Sequence, residues 1–111
     1  MDQINIEQIK KTVIDFTSDK KIKLNKLVLF GSYASGKFNI DSDIDLIIIS
    51  ESYRNKQYSD RIMNSLGIIK LLVKNTKMPV DVLYYSDEEW ENSSSIMIRE
   101  SEQNGKVLYS N

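Results

Sequence analysis

The chain contains no histidine and no cysteine. Without histidine, Ser-His-Asp and Cys-His catalysis are excluded, and so is His-ligated zinc. Without cysteine there is no disulfide framework, no thiol nucleophile and no Cys-type zinc site. Any metal bound here must take oxygen ligands, which favours magnesium, manganese or calcium. Long apolar runs are missing too: the longest are four residues, such as Leu27 to Phe30 and Leu46 to Ile49. A membrane span needs about 20 residues and a signal peptide an apolar stretch of about 7–15. A soluble, cytoplasmic protein with no membrane contact is expected. Nor is there an excess of charge, since 15 basic and 16 acidic residues leave a balance of −1. That balance supplies no polycationic field, so stable nucleic-acid binding by the chain alone is not expected.

What is present fits one domain, residues 1–111, by the usual prior of roughly 100–200 residues per domain. Ile6, Ile9, Val13 and Phe16 recur at helical spacing, and Asn5 with Gln8 offers a capping box for a helix ending near Asp19. Lys20 to Lys26 reads as a solvated connection. Leu27 to Phe30, stopped by Gly31, suits a buried strand, and Leu46 to Ile49 suits a central one. Ser50 to Lys56 is a polar loop. Ile62, Leu66, Ile69 and Val73 then predict the buried stripe of one helix over about Gln57 to Lys74. Pro79 opens a third strand, Val80 to Tyr85, where a leading proline is tolerated. Ser86 with Glu89 predicts another capped helix, helical sequence continues to Asn104-Gly105, and Lys106 to Tyr109 can add a short last strand. The class is α/β (α+β), a small mixed sheet flanked by helices.

Chemistry concentrates between Leu27 and Ile49. Gly31, four residues, then Gly36-Lys37 opens like a P-loop. That motif needs a Ser or Thr after the lysine and a full helix behind it, and Phe38 supplies neither. The stronger candidate is Asp43-Ile44-Asp45 at the mouth of a strand. Alternation puts both carboxylates on one side, with Cβ atoms about 7 Å apart. Two acids on one face of a buried sheet repel each other and lose hydration, and a divalent cation removes both costs. A lone Asp-x-Asp is more often a turn and a frayed strand end. Two further features weigh against that here. Asp81 stands alone in the apolar strand Val80 to Tyr85, so neighbouring strands would bring three acids together. Gly31-Ser32 follows a strand directly, where a glycine admits phosphate to the backbone and a hydroxyl can bind it. Three carboxylates with two metal ions can stabilise both oxygens of an in-line displacement.

Gly31-Ser32, ten intervening residues, then Asp43-x-Asp45 and an aliphatic strand resembles the signature of the DNA polymerase β-like nucleotidyltransferase superfamily. Gly-Ser-Tyr-Ala-Ser-Gly (31–36) and Asp-Ser-Asp-Ile-Asp-Leu (41–46) are similar to the motifs of its minimal nucleotidyltransferases, the MNT group, and Pro-Val-Asp-Val (79–82) to their third-carboxylate strand. The resemblance implies a palm-like core in which Asp43 and Asp45 bind Mg2+ (two ions, with Mn2+ an alternative) and Asp81 completes the site as ligand or base. It implies that Gly31 and Ser32, with Ser42, hold the triphosphate of ATP. Many relatives carry Arg where this chain has Ser35; Lys37 either takes that role or is a surface lysine. It further implies the antitoxin of an HEPN/MNT pair, transferring AMP to a tyrosine of an HEPN ribonuclease toxin. Two other readings stay open: an antitoxin acting by occlusion without catalysis, and a small-molecule adenylyltransferase of the aminoglycoside type.

Overall fold

The computed structural model describes residues 4–39 and 41–111. Helix α1 (Ile6–Asp19) begins where Asn5 predicts: its Oδ1 accepts from the Gln8 amide at 3.0 Å. Strand β1 (Lys26–Phe30) runs into a single helical turn, α2 (Ser32–Ser35), and a loop leads to β2 (Ile44–Ile49). A 3-10 turn (Glu51–Tyr53), α3 (Tyr58–Asn64) and α4 (Ile68–Thr76) cross over to β3 (Val80–Tyr85). Helices α5 (Asp87–Glu91) and α6 (Ile96–Asn104) precede the last strand, β4 (Lys106–Ser110). The sheet is mixed, in the order β3-β2-β1-β4, with β2 and β3 parallel and the other pairs antiparallel.

The apolar runs in β1 and β2 lack alternation because both sheet faces are covered. Leu27, Leu29, Ile44, Leu46 and Ile48 join Val80, Val82 and Tyr84 against α1 and α4. On the other face Val28, Ile47 and Ile49 lie beneath Trp90 of α5 and Ile98 of α6. Each such side chain contributes about 1.5–3 kcal/mol by leaving water, so β2, buried on both sides, anchors the sheet. The cover on this second face stops short of the N-terminal ends of β2 and β3. No helix among the described residues is long and apolar enough to cross a membrane.

Two expectations are corrected. The segment from Gln57 to Lys74 is not one helix. It breaks after Asn64, and Gly67 (φ +99°) restarts it as α4. Ile62, Leu66, Ile69 and Val73, the expected buried stripe, are all exposed, by 38% to 61%. The buried positions are Arg61, Ser65, Ile68 and Leu72. The reason is polar: Arg61 Nη1 donates to Tyr84 O at 3.0 Å and to Glu89 Oε1 at 2.6 Å. With the Tyr58 hydroxyl accepting from the Tyr84 amide, α3 thereby closes the free edge of β3. The second correction lies in the polar loop Ser50 to Lys56, where Tyr53 is fully buried. Its hydroxyl shares a hydrogen bond of 2.8 Å with Ser65.

Candidate active site

Register places the acids. Phe30 of β1 lies opposite Asp45 of β2, and Asp45 lies beside Asp81 of β3. Alternation turns all three to the face of Val28, Ile47 and Leu83, forming one row across three strands. Asp43, two residues before Asp45, adds its charge to the same end of the sheet. None of the three acids has an ion-pair partner among the described residues. The Asp45 carboxyl is pushed up to about 6, first by burial and then by the charges of Asp81 and Asp43. Asp45 thus lies within the field of both other carboxylates at one end of the sheet.

Gly31 ends β1 directly above this row. Its φ of +74° suits glycine, and a Cβ there would fall on Asp45 Oδ2. A glycine is thus required by the carboxylate as well as by the backbone. The peptide groups of α2 follow at once. Ser32 is half-buried, and its carbonyl accepts from Ser35 Oγ at 3.2 Å and from the Lys37 amide at 3.0 Å. The Ser35 hydroxyl is therefore turned back onto its own turn. Lys37 is exposed and forms no ion pair among the described residues. Ser42 Oγ accepts from the Asn39 amide at 2.9 Å, so its hydroxyl closes the loop before β2. Among the described residues no helix lies between Lys37 and β2, which argues against the P-loop alternative.

No three His, Cys, Asp or Glu groups among the described residues stand close enough to cage a metal ion by themselves. Magnesium rarely needs such a cage. It takes one or two carboxylates and completes its shell with water and substrate phosphate. Asp43, Asp45 and Asp81 fit that ion in ligand chemistry, because they are hard oxygen donors whose mutual repulsion no ion pair among the described residues offsets. A cleft of about 400 Å³ opens on the opposite face between α1, α2 and β4. It is lined mainly by Ile4, Ile6, Leu29, Tyr33 and Phe38 and contains no acid. Sequence alone did not single out Phe30, although the alternation that turns Val28 inward also assigns Phe30 to the acid row.

Known proteins are similar to this chain in sequence and in fold. Two from Methanocaldococcus jannaschii, each assigned as a protein adenylyltransferase, are similar in sequence. One is 43% identical over 44 residues, 40% of this chain and 44% of that protein, so the match spans less than half of that relative. The other is 27% identical over 101 residues, 91% of this chain and 94% of that protein. Among solved structures, a Sulfolobus solfataricus protein assigned as a nucleotidyltransferase has a TM-score of 0.68 at 18% identity, covering 96% of this chain and 80% of that one. A chain of a toxin–antitoxin complex with AMP-PNP gives 0.61 at 22% identity, covering 92% and 73%. A chain of the tri-AMPylated Shewanella oneidensis HEPN toxin in complex with its MNT antitoxin gives 0.57 at 18% identity, covering 96% and 74%. Identities this low establish a shared fold. The nucleotidyltransferase domain family itself matches residues 6–101, from the first helix into the last, and the chain belongs to that family.

Proposed function

We propose that this nucleotidyltransferase moves AMP from ATP to a hydroxyl of a partner protein, a tyrosine of a cognate HEPN ribonuclease toxin, and so acts as an antitoxin. The observation that carries the chemistry is the single row of uncompensated acids beside Gly31. The partner is inferred from neighbours that are themselves toxin–antitoxin complexes, one with AMP-PNP and one with an AMPylated toxin.

Asp43 and Asp45 would hold magnesium, with Asp81 as third ligand or base. The ion would supply positive charge to the triphosphate and to the oxygens around the reacting phosphorus. Gly31 lets phosphate approach the chain, and Ser32 offers a hydroxyl donor. The acceptor hydroxyl oxygen attacks the α-phosphorus, the bond to the bridging oxygen breaks, and pyrophosphate departs. The proton released goes to the Asp81 carboxylate, which is exposed and can pass it to water.

Labelled ATP, magnesium and the partner together should give AMP-labelled partner and free pyrophosphate. Asp43→Ala and Asp45→Ala should abolish both. Asp81→Asn should retain much of the ATP binding yet lower transfer by about 10²–10⁴-fold, as loss of a general base does. Undiminished labelling by the Asp43 and Asp45 variants would sink the mechanism, and unchanged turnover by Asp81→Asn would remove Asp81 from it.

A further inference from the structure

Folding leaves the more apolar row of the α3–α4 crossover outside. Tyr58, Ile62, Leu66, Ile69 and Val73 follow one another at steps of four, four, three and four, and each is 38% to 61% exposed. The buried row begins one residue before Ile62, so the exposed row lies about 100° round the helix from it. Single exposed apolar residues are ordinary, but a continuous apolar row rimmed by charge marks an interaction surface. The row runs along β3 to the acid end of the sheet. Tyr58 is fixed at the far end of that strand, where its hydroxyl accepts from the Tyr84 amide at 3.0 Å. Val73 sits in the last turn of α4, and three residues after that helix the chain enters β3 at Val80, next to Asp81. Charge beside the row is of one sign. Lys70 stands four residues after Leu66 and three before Val73, and Lys74 and Lys77 follow. All three are exposed and form no ion pair among the described residues. Asp60 is the only acid from Gln57 to Pro79.

We propose that this row is the docking surface for the protein acceptor, which meets it with an apolar patch rimmed by Asp and Glu side chains. The inference rests on the nucleotide-transfer reading above, in which the acceptor hydroxyl gives up its proton to Asp81. A protein seated on the row lies along β3 and reaches that carboxylate, so the surface that binds the acceptor also delivers it. The apolar centre supplies affinity, and the lysines steer the encounter and fix its orientation. A second copy of the chain fits less well, because a two-fold contact through the row sets lysines against lysines.

Titration calorimetry with the purified cognate toxin, in the absence of ATP, tests the surface apart from the chemistry. Leu66→Glu, at the most exposed member of the row, should weaken toxin binding by about 30-fold or more, as loss of an interface anchor does. Lys70→Glu combined with Lys74→Glu should weaken it by about 10-fold at low salt and flatten its dependence on sodium chloride. Both variants should keep the wild-type thermal midpoint and affinity for Mg-ATP, since they alter exposed positions outside the acid row. Wild-type toxin affinity in Leu66→Glu overturns the surface whether or not AMP is transferred, as does a wild-type protein that binds no toxin. A wild-type dimer that Leu66→Glu dissociates, or pelleting with phosphatidylserine vesicles that it abolishes, overturns it too, because the row then faces a second copy or lipid. If the wild type binds toxin through the row and never labels it, the surface stands and the transfer reading alone fails.

Discussion

Asp45 is half-buried between two like charges, and its carboxyl is pushed up to about 6. In the unfolded chain the same group titrates at about 3.9. Between those values the folded state binds more protons than the unfolded state, so metal-free protein gains stability from this group as pH falls from 7 toward 4. At neutral pH the ionised Asp45 is a cost. With chelator present, Asp45→Asn should raise stability at pH 7 by about 1 kcal/mol, allowing for solvent screening of a half-exposed group. The variant should also lose the pH slope between about 4 and 6. Urea denaturation in EDTA across that range measures both, and an Asp45→Asn protein no more stable than wild type would contradict the assigned repulsion. Legibility at this scale was uneven. Asp45 was readable because strand alternation is local, Asp43 because it stands two residues ahead at the mouth of the same strand, and Asp81 because a lone charge has no reason to sit in Val80 to Tyr85. Phe30 and the contact of Gly31 with Asp45 depend on the antiparallel register of β1 and β2, which no local pattern specifies.

The crossover α3–α4 is where periodicity misled. Ile62, Leu66, Ile69 and Val73 have helical spacing, but so do Arg61, Ser65, Ile68 and Leu72, one residue earlier. Hydrophobicity favours the first set because the second begins with an arginine and a serine. Tertiary hydrogen bonding chose the second. Arg61 is 6% exposed and serves Lys56 O and Tyr84 O besides Glu89. Burial works against ionised Glu89, yet the Arg61 hydrogen bond and the Ser86 amide outweigh it and hold that carboxyl below its ordinary range. Arg61→Met keeps the apolar stem but strands two carbonyls and a carboxylate, so it should cost about 2–4 kcal/mol. Arg54 makes a more open pair, with Nε 2.8 Å from Asp87 Oδ1 and 43% of its side chain exposed. Arg54→Ala should cost under about 1 kcal/mol. Urea midpoints of the two variants decide the matter: similar losses would mean that Arg61 is not the polar anchor of the β3 edge.

Across the whole molecule, one sheet face is covered along its length and the other only where Trp90 and Ile98 reach. The uncovered end gathers three acids with no ion-pair partner among the described residues, so the ligand-free fold carries its repulsion where it has least packing to resist it. A ligand bringing both metal and phosphate should act on stability as well as chemistry. Binding only to the folded state stabilises it by RT ln(1 + [L]/Kd), about 2.7 kcal/mol at a hundredfold excess over Kd. For a chain of this size 1 kcal/mol moves the thermal midpoint by roughly 4–8 °C, so Mg-ATP at that excess should raise it by about 11–22 °C. ATP with EDTA should do little, because triphosphate without metal meets the acids as another like charge. Asp45→Asn should start from a higher midpoint in EDTA and gain less from Mg-ATP, since the repulsion and one ligand are lost together. Trp90, on the same face, gives a fluorescence signal for the melt. If ATP stabilises equally with and without magnesium, or if Asp45→Asn gains as much from Mg-ATP as wild type, the acid row is not where metal and nucleotide meet.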